Sequence, residues 1–579
     1  MRCTTSLCRV PRRVLLHSIR QRGSLQSFPP ARKASLFASP VISPSPSKGS
    51  ALATIKSDLD ELGPRIPLSA SDINILSTPV EFYTTLKAKI LSARKRIFLS
   101  TLYIGKTEHE LISTIRHALL NNGPDLRVSI LTDALRGTRE SPETCCASLL
   151  AELVEEFPNQ VEVRMYHTPN LTGLRKRYVP NRINEGWGLQ HIKLYAFDDG
   201  IILSGANLSS DYFTNRQDRY HLFSSKAVTD YFAAIHNAVC SVSFRVLSSK
   251  SPAKFELVWP EDNKAPSPLK LPKSYIYQTL QLLEPLTRPA SELENQSSIL
   301  PADAPTTVLY PLLTIPPRLN MELPSLDILL TSPFLRFYTF TAGYFNPHVS
   351  ISDRLLYAAP PTLLSVVGPE VAPRSKILTA HPHANGFFGS SGISGMLPAA
   401  YSHLALRFMR EVRRHKSDLQ LREWKRGKVG EPGGWTFHAK GLWLWYGESP
   451  RENVQDAVQR QLRGGTEKAE AFAKDPLEVF KTDRESLHEE QVKQEELGPQ
   501  ITLIGSSNHT ERSHTLDLEA GAVLITSDPT LRKKLKEEEA ALVAQSEEVT
   551  IQELRSEGRR ADWRTRLAMW VVERVGGAL

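Results

Sequence analysis

Apolar residues recur at helical spacing between positions 80 and 95, where Phe82, Leu86 and Ile90 would share one face. The run that follows, 96–104, is mostly apolar and predicts a strand. The same alternation continues, with strands expected at 127–133 and 161–166, helices to about 121 and at 141–156, and two strands over 191–203 joined at Asp198-Asp199-Gly200. Alternating strands and helices predict an α/β layered fold.

A later stretch repeats this order, with strands predicted at 337–345, 363–367 and 376–380, a helix near 398–415, and strands at 435–446 and 501–504. This pattern indicates an internal duplication. We therefore predict an α/β protein of two lobes, 65–247 and 306–579. The Pro- and Ser-rich stretch 248–305, which has helical patches such as 274–285, is interpreted as a connector.

The two halves differ in length at one place. From His191 to Asn207 is 16 residues, whereas from His438 to Asn508 is 70. The second half therefore carries about 54 additional residues, at roughly 448–500. This insert is rich in Glu, Lys, Arg and Gln, so we predict a solvated helical or disordered excursion without chemistry of its own.

The charge is distributed unevenly along the 579 residues. The formal net charge is +9, but residues 1–57 contain seven Arg, three Lys and no acidic residue. The rest of the chain is nearly neutral, which argues against a nucleic-acid partner. An Arg- and Ser-rich segment without acids is typical of a mitochondrial transit peptide, with 29–50 as a spacer, although a disordered tail of no consequence is the alternative.

The composition also bears on membranes and redox state. No run of eighteen apolar residues occurs, so we expect no transmembrane helix and, for a membrane enzyme, action from the bilayer surface. Cys145, Cys146 and Cys240 lack metal-ligand spacing and fit a reducing compartment. The C-terminal segment 563–575 could form a helix that lies on a membrane through Trp563, Leu567, Trp570 and Val571, but a helix docked on the protein core is favoured.

The first candidate for chemistry is the motif formed by His191, Lys193 and Asp198. Alternation in a strand places His191 and Lys193 on one face. A neutral imidazole can attack a phosphodiester while an ammonium holds the phosphoryl oxygens. A lone His-x-Lys often arises by chance, but His438-Ala439-Lys440 repeats it in the second half.

Each His-x-Lys is followed by a turn of small residues that ends in Asn, namely Ser204-Gly205-Ala206-Asn207 and Gly505-Ser506-Ser507-Asn508. Ser and Asn supply neutral donors for phosphate oxygens. A carboxylate lies 11 residues after each Asn: Asp218 after Asn207, and Glu519 after Asn508. A carboxylate can accept the Nδ1 proton of a catalytic His and fix its tautomer, although each could be an ordinary surface acid.

These paired elements resemble the phospholipase D superfamily. The resemblance implies two lobes, each a mixed sheet flanked by helices, with both His-Lys pairs in one cleft between them. It also implies a covalent phospho-histidine intermediate formed on one His, protonation of the leaving group by the other, and no metal or other cofactor. Trp445 departs from the pattern, because it stands where the second motif would have its acid. Asp198 sits beyond its strand and is more plausibly structural than directly catalytic.

A closer resemblance covers about residues 100–520. The sequence is similar to the mitochondrial phosphatidylglycerophosphate synthase family of eukaryotes in several segments, namely 102–105 (LYIG), 136–139 (RGTR), 190–193 (QHIK), 204–209 (SGANLS), 211–213 (DYF), 215–220 (NRQDRY), 384–388 (ANGFF) and 438–443 (HAKGLW). This implies phosphatidyl transfer from CDP-diacylglycerol to glycerol-3-phosphate on the way to cardiolipin, at the matrix face of the inner mitochondrial membrane.

The resemblance also implies roles for the paired residues. His191 is the expected nucleophile and His438 the expected acid and base. Glu519 would orient His191 and Asp218 would orient His438, across the cleft. Arginines are candidates to bind the anionic substrates, with structural ion pairs as the alternative for each: Arg136, Arg139, Arg216, Arg219 and Arg512. The rival functions are a phospholipase D-type nuclease or phosphodiesterase and an inert scaffold.

Overall fold

The computed structural model describes residues 51–179, 184–294, 306–359, 374–448 and 492–575. All of these described residues belong to one compact unit. The predicted transit peptide, apart from 51–57, the predicted strand at 363–367 and most of the predicted insert at 448–500 lie outside the described residues. Within them, no helix is long and apolar enough to cross a membrane.

The first sheet has nine strands in the described residues, in the order β11-β10-β5-β4-β3-β6-β7-β9-β2. Strands β3, β4 and β5 are parallel, whereas β6, β7 and β9 continue antiparallel from β3, so the sheet is mixed. The strands are β2 (Ile73–Leu76), β3 (Arg96–Ser100), β4 (Arg127–Asp133), β5 (Val161–Tyr166), β6 (Leu194–Phe197), β7 (Gly200–Ser204), β9 (Tyr220–Phe223), β10 (Phe244–Ser248) and β11 (Phe255–Val258).

The second sheet follows the same plan within the described ranges, in the order β1-β12-β20-β19-β18-β14-β15-β16-β21, with β13 paired to β12. Its parallel strands are β14, β15 and β16, and β18, β19 and β20 continue antiparallel. The strands are β1 (Ile66–Leu68), β12 (Thr307–Ile315), β13 (Leu319–Asn320), β14 (Leu335–Ala342), β15 (Ser375–Ala380), β16 (Leu419–Trp424), β18 (Lys440–Tyr446), β19 (Ile501–Gly505), β20 (Glu519–Thr526) and β21 (Ser546–Glu548).

Helices flank both sheets, as the alternating pattern predicted. They include α1 (Ala51–Asp60), α2 (Pro79–Ser92), α3 (His109–Asn121), α4 (Ala134–Gly137), α5 (Cys146–Glu156), α6 (Gly173–Tyr178), α7 (Ser210–Thr214), α8 (Lys226–Cys240), α9 (Pro272–Leu283), α10 (Ala290–Glu294), α11 (Glu322–Thr331), α12 (Val349–Ala358), α13 (Leu397–His415), α14 (Glu511–Thr515), α15 (Pro529–Val543), α16 (Ile551–Leu554) and α17 (Trp563–Val575). The predicted α/β class, with two mixed sheets, is confirmed.

Helix α2 illustrates how local sequence fixes these elements. The Thr78 side chain accepts a hydrogen bond from the Glu81 amide, and Pro79 occupies the first turn, where its missing N–H costs nothing. The buried face is Phe82, Leu86 and Ile90, the three residues that the spacing singled out. Burying three such side chains contributes roughly 5–8 kcal/mol, which exceeds any intrinsic helix propensity.

Two short parallel pairings join the halves, and each immediately precedes a catalytic-motif His. Strand β8 (Arg216–Gln217) pairs with β17 (Thr436–Phe437), just before His438. Gln190, just before His191, forms a bridge with Leu518. One buried apolar cluster also contains residues of both sheets, so the halves share a core.

The predicted lobe boundaries do not coincide with the limits of the sheets. Strand β1 lies within 65–247 but pairs with β12 of the second sheet. The predicted connector 248–305 contains β11, which extends the first sheet, and α9. Helix α1 begins inside the segment predicted as leader and spacer, and its Ile55 and Leu59 are buried. Short edge strands of this kind carry too weak a hydrophobic period to be assigned to one sheet from sequence.

Helix α17 does not bury its predicted apolar face. Trp563, Leu567 and Trp570 are 67%, 51% and 52% exposed. The helix packs instead through the side that carries Thr565 and Met569, both of which are buried. The helix is therefore docked on the protein, as favoured, but through a different face from the one that carries Trp563, Leu567 and Trp570.

Candidate active site

His191 and Lys193 stand at the entry to β6, in a segment held by the other half of the chain. The His191 amide donates to the Leu518 carbonyl at 2.8 Å, and the Leu518 amide donates to the Leu189 carbonyl at 2.8 Å. The Lys193 Nζ donates to the His191 carbonyl at 2.7 Å. The backbone that carries the first pair is thus fixed by residues that directly precede Glu519.

Glu519 orients His191 directly. Its two carboxylate oxygens lie 2.9 and 3.1 Å from Nδ1 of His191. The Ser506 hydroxyl donates to the same carboxylate. All three side chains are buried, and burial raises the pKa of Glu519 to about 7 although Lys193 opposes the shift. An imidazole that donates through Nδ1 presents the lone pair of Nε2 for chemistry.

His438 and Lys440 form the corresponding pair before β18. The His438 amide donates to the Gln217 carbonyl at 2.8 Å. Nδ1 of His438 lies 2.6 Å from Oδ2 of Asp218. Each carboxylate therefore contacts the His of the opposite half, which is the exchange that the resemblance implied.

The two pairs lie within electrostatic reach of one another. Burial first, then the neighbouring ammonium of Lys193, lowers the pKa of His191 well below its usual value, and Lys440 adds to the effect. Burial and Lys440 likewise lower the pKa of His438. The lowered pKa values favour the neutral imidazole, which is the state that a nucleophile requires at His191 and that a base requires at His438.

The small-residue turn of the first half lies against Lys440. A Cβ at Gly205 would come within 2.8 Å of the Lys440 Nζ and 2.7 Å of an Asp218 carboxylate oxygen. A residue with a side chain at this position would displace the charged groups. Glycine at the turn is thus required by close approach across the site.

The two predicted phosphate-binding asparagines differ in their contacts. Nδ2 of the buried Asn207 donates to the Tyr212 hydroxyl at 3.2 Å, and its Oδ1 has no hydrogen-bond partner among the described residues. Asn508 is half-buried, and its backbone amide donates to the Ser513 hydroxyl at 3.2 Å. Only the N–H groups of the two side-chain amides, and not their Oδ1 atoms, could donate to a phosphate oxygen of the substrate.

Asp198 is not brought into the site. It lies in the β6–β7 turn with a φ of 49°, at the end of β6 opposite His191. Its carboxylate accepts hydrogen bonds from the amides of Arg94, Lys95 and Arg96 at 2.9, 2.8 and 3.1 Å. Asp198, a candidate for the catalytic set in the first motif, therefore stabilises the start of β3. It does not contribute to the site, because the length of β6 separates its carboxylate from the His191 imidazole.

Trp445 occupies the matching place in the second half. It is buried and stacks on Phe337, with ring centroids 4.7 Å apart. At this position of the second half, β14 and β18 are joined by an apolar contact and not by hydrogen bonds to a carboxylate. The His438–Lys440 pair does not depend on an acid at position 445, since the residue at position 198 does not reach the His191 imidazole either.

Most of the candidate arginines are held by acidic residues. Arg219 is buried and forms a two-point ion pair with Glu538, at 2.9 and 2.8 Å. Arg139 pairs with Glu185, and Arg512 pairs with Asp517 at 2.8 Å. These three therefore have structural partners already.

Arg136 and Arg216 instead lie over aromatic rings. Arg136 is 4.1 Å from the centroid of Tyr103, and Arg216 is 4.8 Å from that of Tyr212. Their ion pairs are with half-exposed or exposed acids, Glu140 for Arg136 and Asp211 for Arg216. These two guanidiniums are the better placed of the five to meet an anionic substrate.

Sequence reasoning assigned no role to Tyr212. Its hydroxyl lies 3.2 Å from Nε2 of His438 and also accepts from Asn207. The residue is part of the 211–213 (DYF) segment, but nothing in that local pattern indicates that α7 would turn its hydroxyl toward the opposite half.

Comparisons with known proteins were made after this geometry. No family model matches the chain. It is 38% identical over 544 residues to the CDP-diacylglycerol–glycerol-3-phosphate 3-phosphatidyltransferase of Saccharomyces pastorianus, covering 92% of this chain and 93% of that protein. The similarly named Saccharomyces cerevisiae protein is 37% identical, covering 88% and 89%, and the human mitochondrial one 32%, covering 84% and 79%.

Among solved structures, the phosphatidylserine synthase of Haemophilus influenzae Rd KW20 superposes with a TM-score of 0.61 at 17% identity, covering 90% of this chain and 97% of that one. At that identity the likeness establishes the fold alone, an α/β protein with two mixed sheets flanked by helices. The sequence relatives establish more. The chain belongs to the CDP-diacylglycerol–glycerol-3-phosphate 3-phosphatidyltransferase family.

Proposed function

We propose that this protein transfers a phosphatidyl group from CDP-diacylglycerol to glycerol-3-phosphate, giving phosphatidylglycerophosphate and CMP. The observation that carries the proposal is the exchange of carboxylates between two buried His-Lys pairs, with Glu519 on His191 and Asp218 on His438. The names of the relatives supply the substrates.

In the first step, Nε2 of His191 attacks the phosphorus that carries diacylglycerol. A nitrogen–phosphorus bond forms, and the bond to the bridging oxygen breaks, so CMP leaves with the bonding electrons. His438, which carries a proton on Nε2 when the donor is bound, gives that proton to the departing oxygen, and Asp218 stabilises the protonated imidazole before transfer. Lys193 and Lys440 balance the charge on the phosphoryl oxygens, and Glu519 stabilises the imidazolium that forms at His191.

In the second step, a hydroxyl of glycerol-3-phosphate attacks the phosphatidyl-His191. A phosphorus–oxygen bond forms, the nitrogen–phosphorus bond breaks, and the hydroxyl proton returns to His438. Asn207 and Asn508 are proposed to hold the phosphoryl oxygens in both steps. The cycle ends with His191 neutral and with His438 again carrying the proton that it gave up in the first step.

The proposed location is the matrix face of the inner mitochondrial membrane, with the protein bound at the surface. Support for surface binding comes from α17, where Trp563, Leu567 and Trp570 are exposed on one face. Arg566 lies near Arg407 of α13, since both lower the pKa of His403, for which burial is the larger cause. Exposed aromatic rings beside guanidiniums suit the interface of an anionic bilayer.

The activity is tested by incubating the purified protein with CDP-diacylglycerol and glycerol-3-phosphate in detergent micelles. CMP release that requires glycerol-3-phosphate is expected, and His191→Ala should abolish it. His415→Ala, which changes an exposed His on α13, is the matched control. Cleavage of DNA without any CMP release would instead identify a phosphodiesterase or nuclease.

Surface binding is tested by flotation with liposomes that contain an anionic phospholipid. Replacing Trp563, Leu567 and Trp570 by Ser should reduce the bound fraction several-fold at constant thermal stability. The control changes Val80 and Leu120 to Ser, because these are 58% and 66% exposed on α2 and α3. Equal loss in both variants would contradict a specific role of α17.

A further inference from the structure

A group of half-buried aromatic rings lies beside His438, and the reaction scheme above leaves it unused. We call Tyr344, Phe387 and Tyr401 the aromatic cluster. The Tyr344 ring meets the His438 ring edge-on at 5.5 Å. It is also 5.3 Å from Phe387 and nearly parallel to Tyr401 at 5.6 Å. All three side chains are partly accessible, whereas His438 is buried.

Arg216 borders the same group. A Cβ at Gly386 would come within 2.9 Å of the Tyr344 hydroxyl and 3.1 Å of Nη2 of Arg216. The glycine therefore permits the close approach of a phenol and a guanidinium to the backbone at this position. Gly386 and Phe387 belong to the 384–388 (ANGFF) segment, to which the sequence had assigned no role.

The neighbourhood of His191 is different in kind. Its imidazole is surrounded by Glu519, Ser506 and the charged groups of Asp517 and Arg512. No aromatic ring makes a ring contact with His191 in the described part of the chain. Flat apolar surface is thus available on the His438 side of the site.

Flat rings and a guanidinium match the chemistry of a nucleotide. A nucleobase stacks on aromatic side chains through its π-face, and a guanidinium can form two hydrogen bonds to one phosphate. Glycerol-3-phosphate also offers a phosphate, but it has no base to stack. The rings therefore favour the nucleotide over the acceptor.

We propose that the aromatic cluster and Arg216 form the subsite for the cytidine monophosphate part of the donor. This inference rests on the proposed transferase function. It places the leaving group beside His438, which is where a proton is needed when CMP departs, and leaves the His191 side for the phosphatidyl group. Arg216 contacts the nucleotide phosphate in this arrangement.

The test uses Tyr401→Leu and Phe387→Leu in the full chain, with CMP as a product inhibitor. Each change keeps apolar volume but removes a ring, so the KM for CDP-diacylglycerol and the inhibition constant of CMP should both rise about tenfold. The KM for glycerol-3-phosphate should stay within a factor of two. Tyr401→Phe keeps the ring and should retain wild-type values for both nucleotide constants.

Trp259→Leu is the matched control, because Trp259 packs against Phe244 and Tyr275 in the first half. It should leave both nucleotide constants unchanged. Inhibition by inorganic phosphate should also be unchanged in the ring variants, since phosphate carries no base. If those variants instead raise the KM for glycerol-3-phosphate and spare CMP, the cluster binds the acceptor and the subsite assignment is wrong.

The failure of this inference is separable from the failure of the proposed function. A wild-type protein that releases no CMP would overturn the transferase proposal itself. A wild-type protein that is active, but whose CMP inhibition is indifferent to Tyr401→Leu and Phe387→Leu, would overturn only the subsite.

Discussion

The two His-Lys pairs contain the same residue types, but their imidazoles differ in the hydrogen bonds made at Nε2. His191 is held through Nδ1 by Glu519, and no described residue hydrogen-bonds to its Nε2. His438 is held through Nδ1 by Asp218, but its Nε2 meets the Tyr212 hydroxyl at 3.2 Å. Nε2 of His191 thus has no hydrogen-bond partner among the described residues, whereas Nε2 of His438 is connected through Tyr212 to Asn207.

This difference bears on which His attacks phosphorus. A nucleophile needs an unobstructed nitrogen, whereas an acid and base benefits from a partner that holds its proton position. The Tyr212 hydroxyl connects His438 to Asn207, a proposed phosphoryl ligand. The comparison therefore favours His191 as nucleophile on geometry, independently of the intact first motif.

The largest expected effect comes from removing either imidazole. His191→Ala and His438→Ala should each lower kcat by at least about 10⁴-fold. Only His438→Ala should still form a phosphatidyl-enzyme, and more slowly than the wild type, because His191 remains but the proton donor for CMP is lost. Rapid denaturing quench with labelled CDP-diacylglycerol measures this, and label on His438 of the wild type would reverse the comparison.

The exchanged carboxylates should rank next. Glu519→Gln and Asp218→Asn keep the shape but cannot stabilise an imidazolium, so each should lower kcat roughly 10²- to 10⁴-fold. Glu519→Gln should slow formation of the phosphatidyl-enzyme, and Asp218→Asn should slow its transfer to glycerol-3-phosphate. Single-turnover kinetics separates the two steps. Identical effects on both would mean that the two halves are equivalent.

The dependence of kcat/KM on pH tests the protonation of Glu519. Because burial raises the pKa of Glu519 to about 7, this carboxylate loses its charge as the pH falls below that value. The kcat/KM should then fall by up to about tenfold per pH unit below 7. Glu519→Gln should abolish this acid limb, and an unchanged limb would assign it elsewhere.

The raised pKa of Glu519 also makes the free energy of unfolding depend on pH. The folded pKa of Glu519 exceeds the usual 4.5, so the folded chain retains the proton between about pH 4.5 and 7. Its contribution to folding is present below that window and is lost as the pH rises through 7. Thermal unfolding should show a flatter pH dependence in Glu519→Gln over this range.

Tyr212→Phe tests the hydroxyl that distinguishes the two imidazoles. Removing one hydrogen bond at Nε2 of His438 should lower kcat about fivefold, with a smaller effect on KM. The matched variant Tyr195→Phe removes a buried hydroxyl that donates to the Ala206 carbonyl without contacting either His. If the two variants act alike on kcat, the contact with His438 has no special role.

The smallest effect on chemistry is expected from Asp198→Ala. Losing three hydrogen bonds from backbone amides should reduce the free energy of unfolding by about 1–3 kcal/mol, with kcat changed less than twofold at a temperature where the variant is folded. Chemical denaturation and initial rates measure the two quantities. A large loss of kcat in folded protein would return Asp198 to the catalytic set.

Much of the fold could be read from the chain because its helices and strands have strong hydrophobic periods. Strands β4 and β5 have the predicted bounds, and α13 differs from the prediction by one residue. The edge strands β1 and β11 could not be assigned, since three or four residues can pair with either sheet at similar cost. The length and order of the predicted elements thus indicate two sheets, but they do not show which edge strands belong to each sheet.

The chemical groups of the site can be read from the chain: two His-x-Lys pairs, two small-residue turns and two carboxylates at matched offsets. Which of these groups contact one another depends on long-range packing, because Gln190 pairs in parallel with Leu518, 328 residues away, and Thr436–Phe437 pairs in parallel with Arg216–Gln217, 220 residues away. Such pairings leave no local signature. The Tyr212 contact with His438 depends on the same long-range packing, which is why the sequence did not predict it.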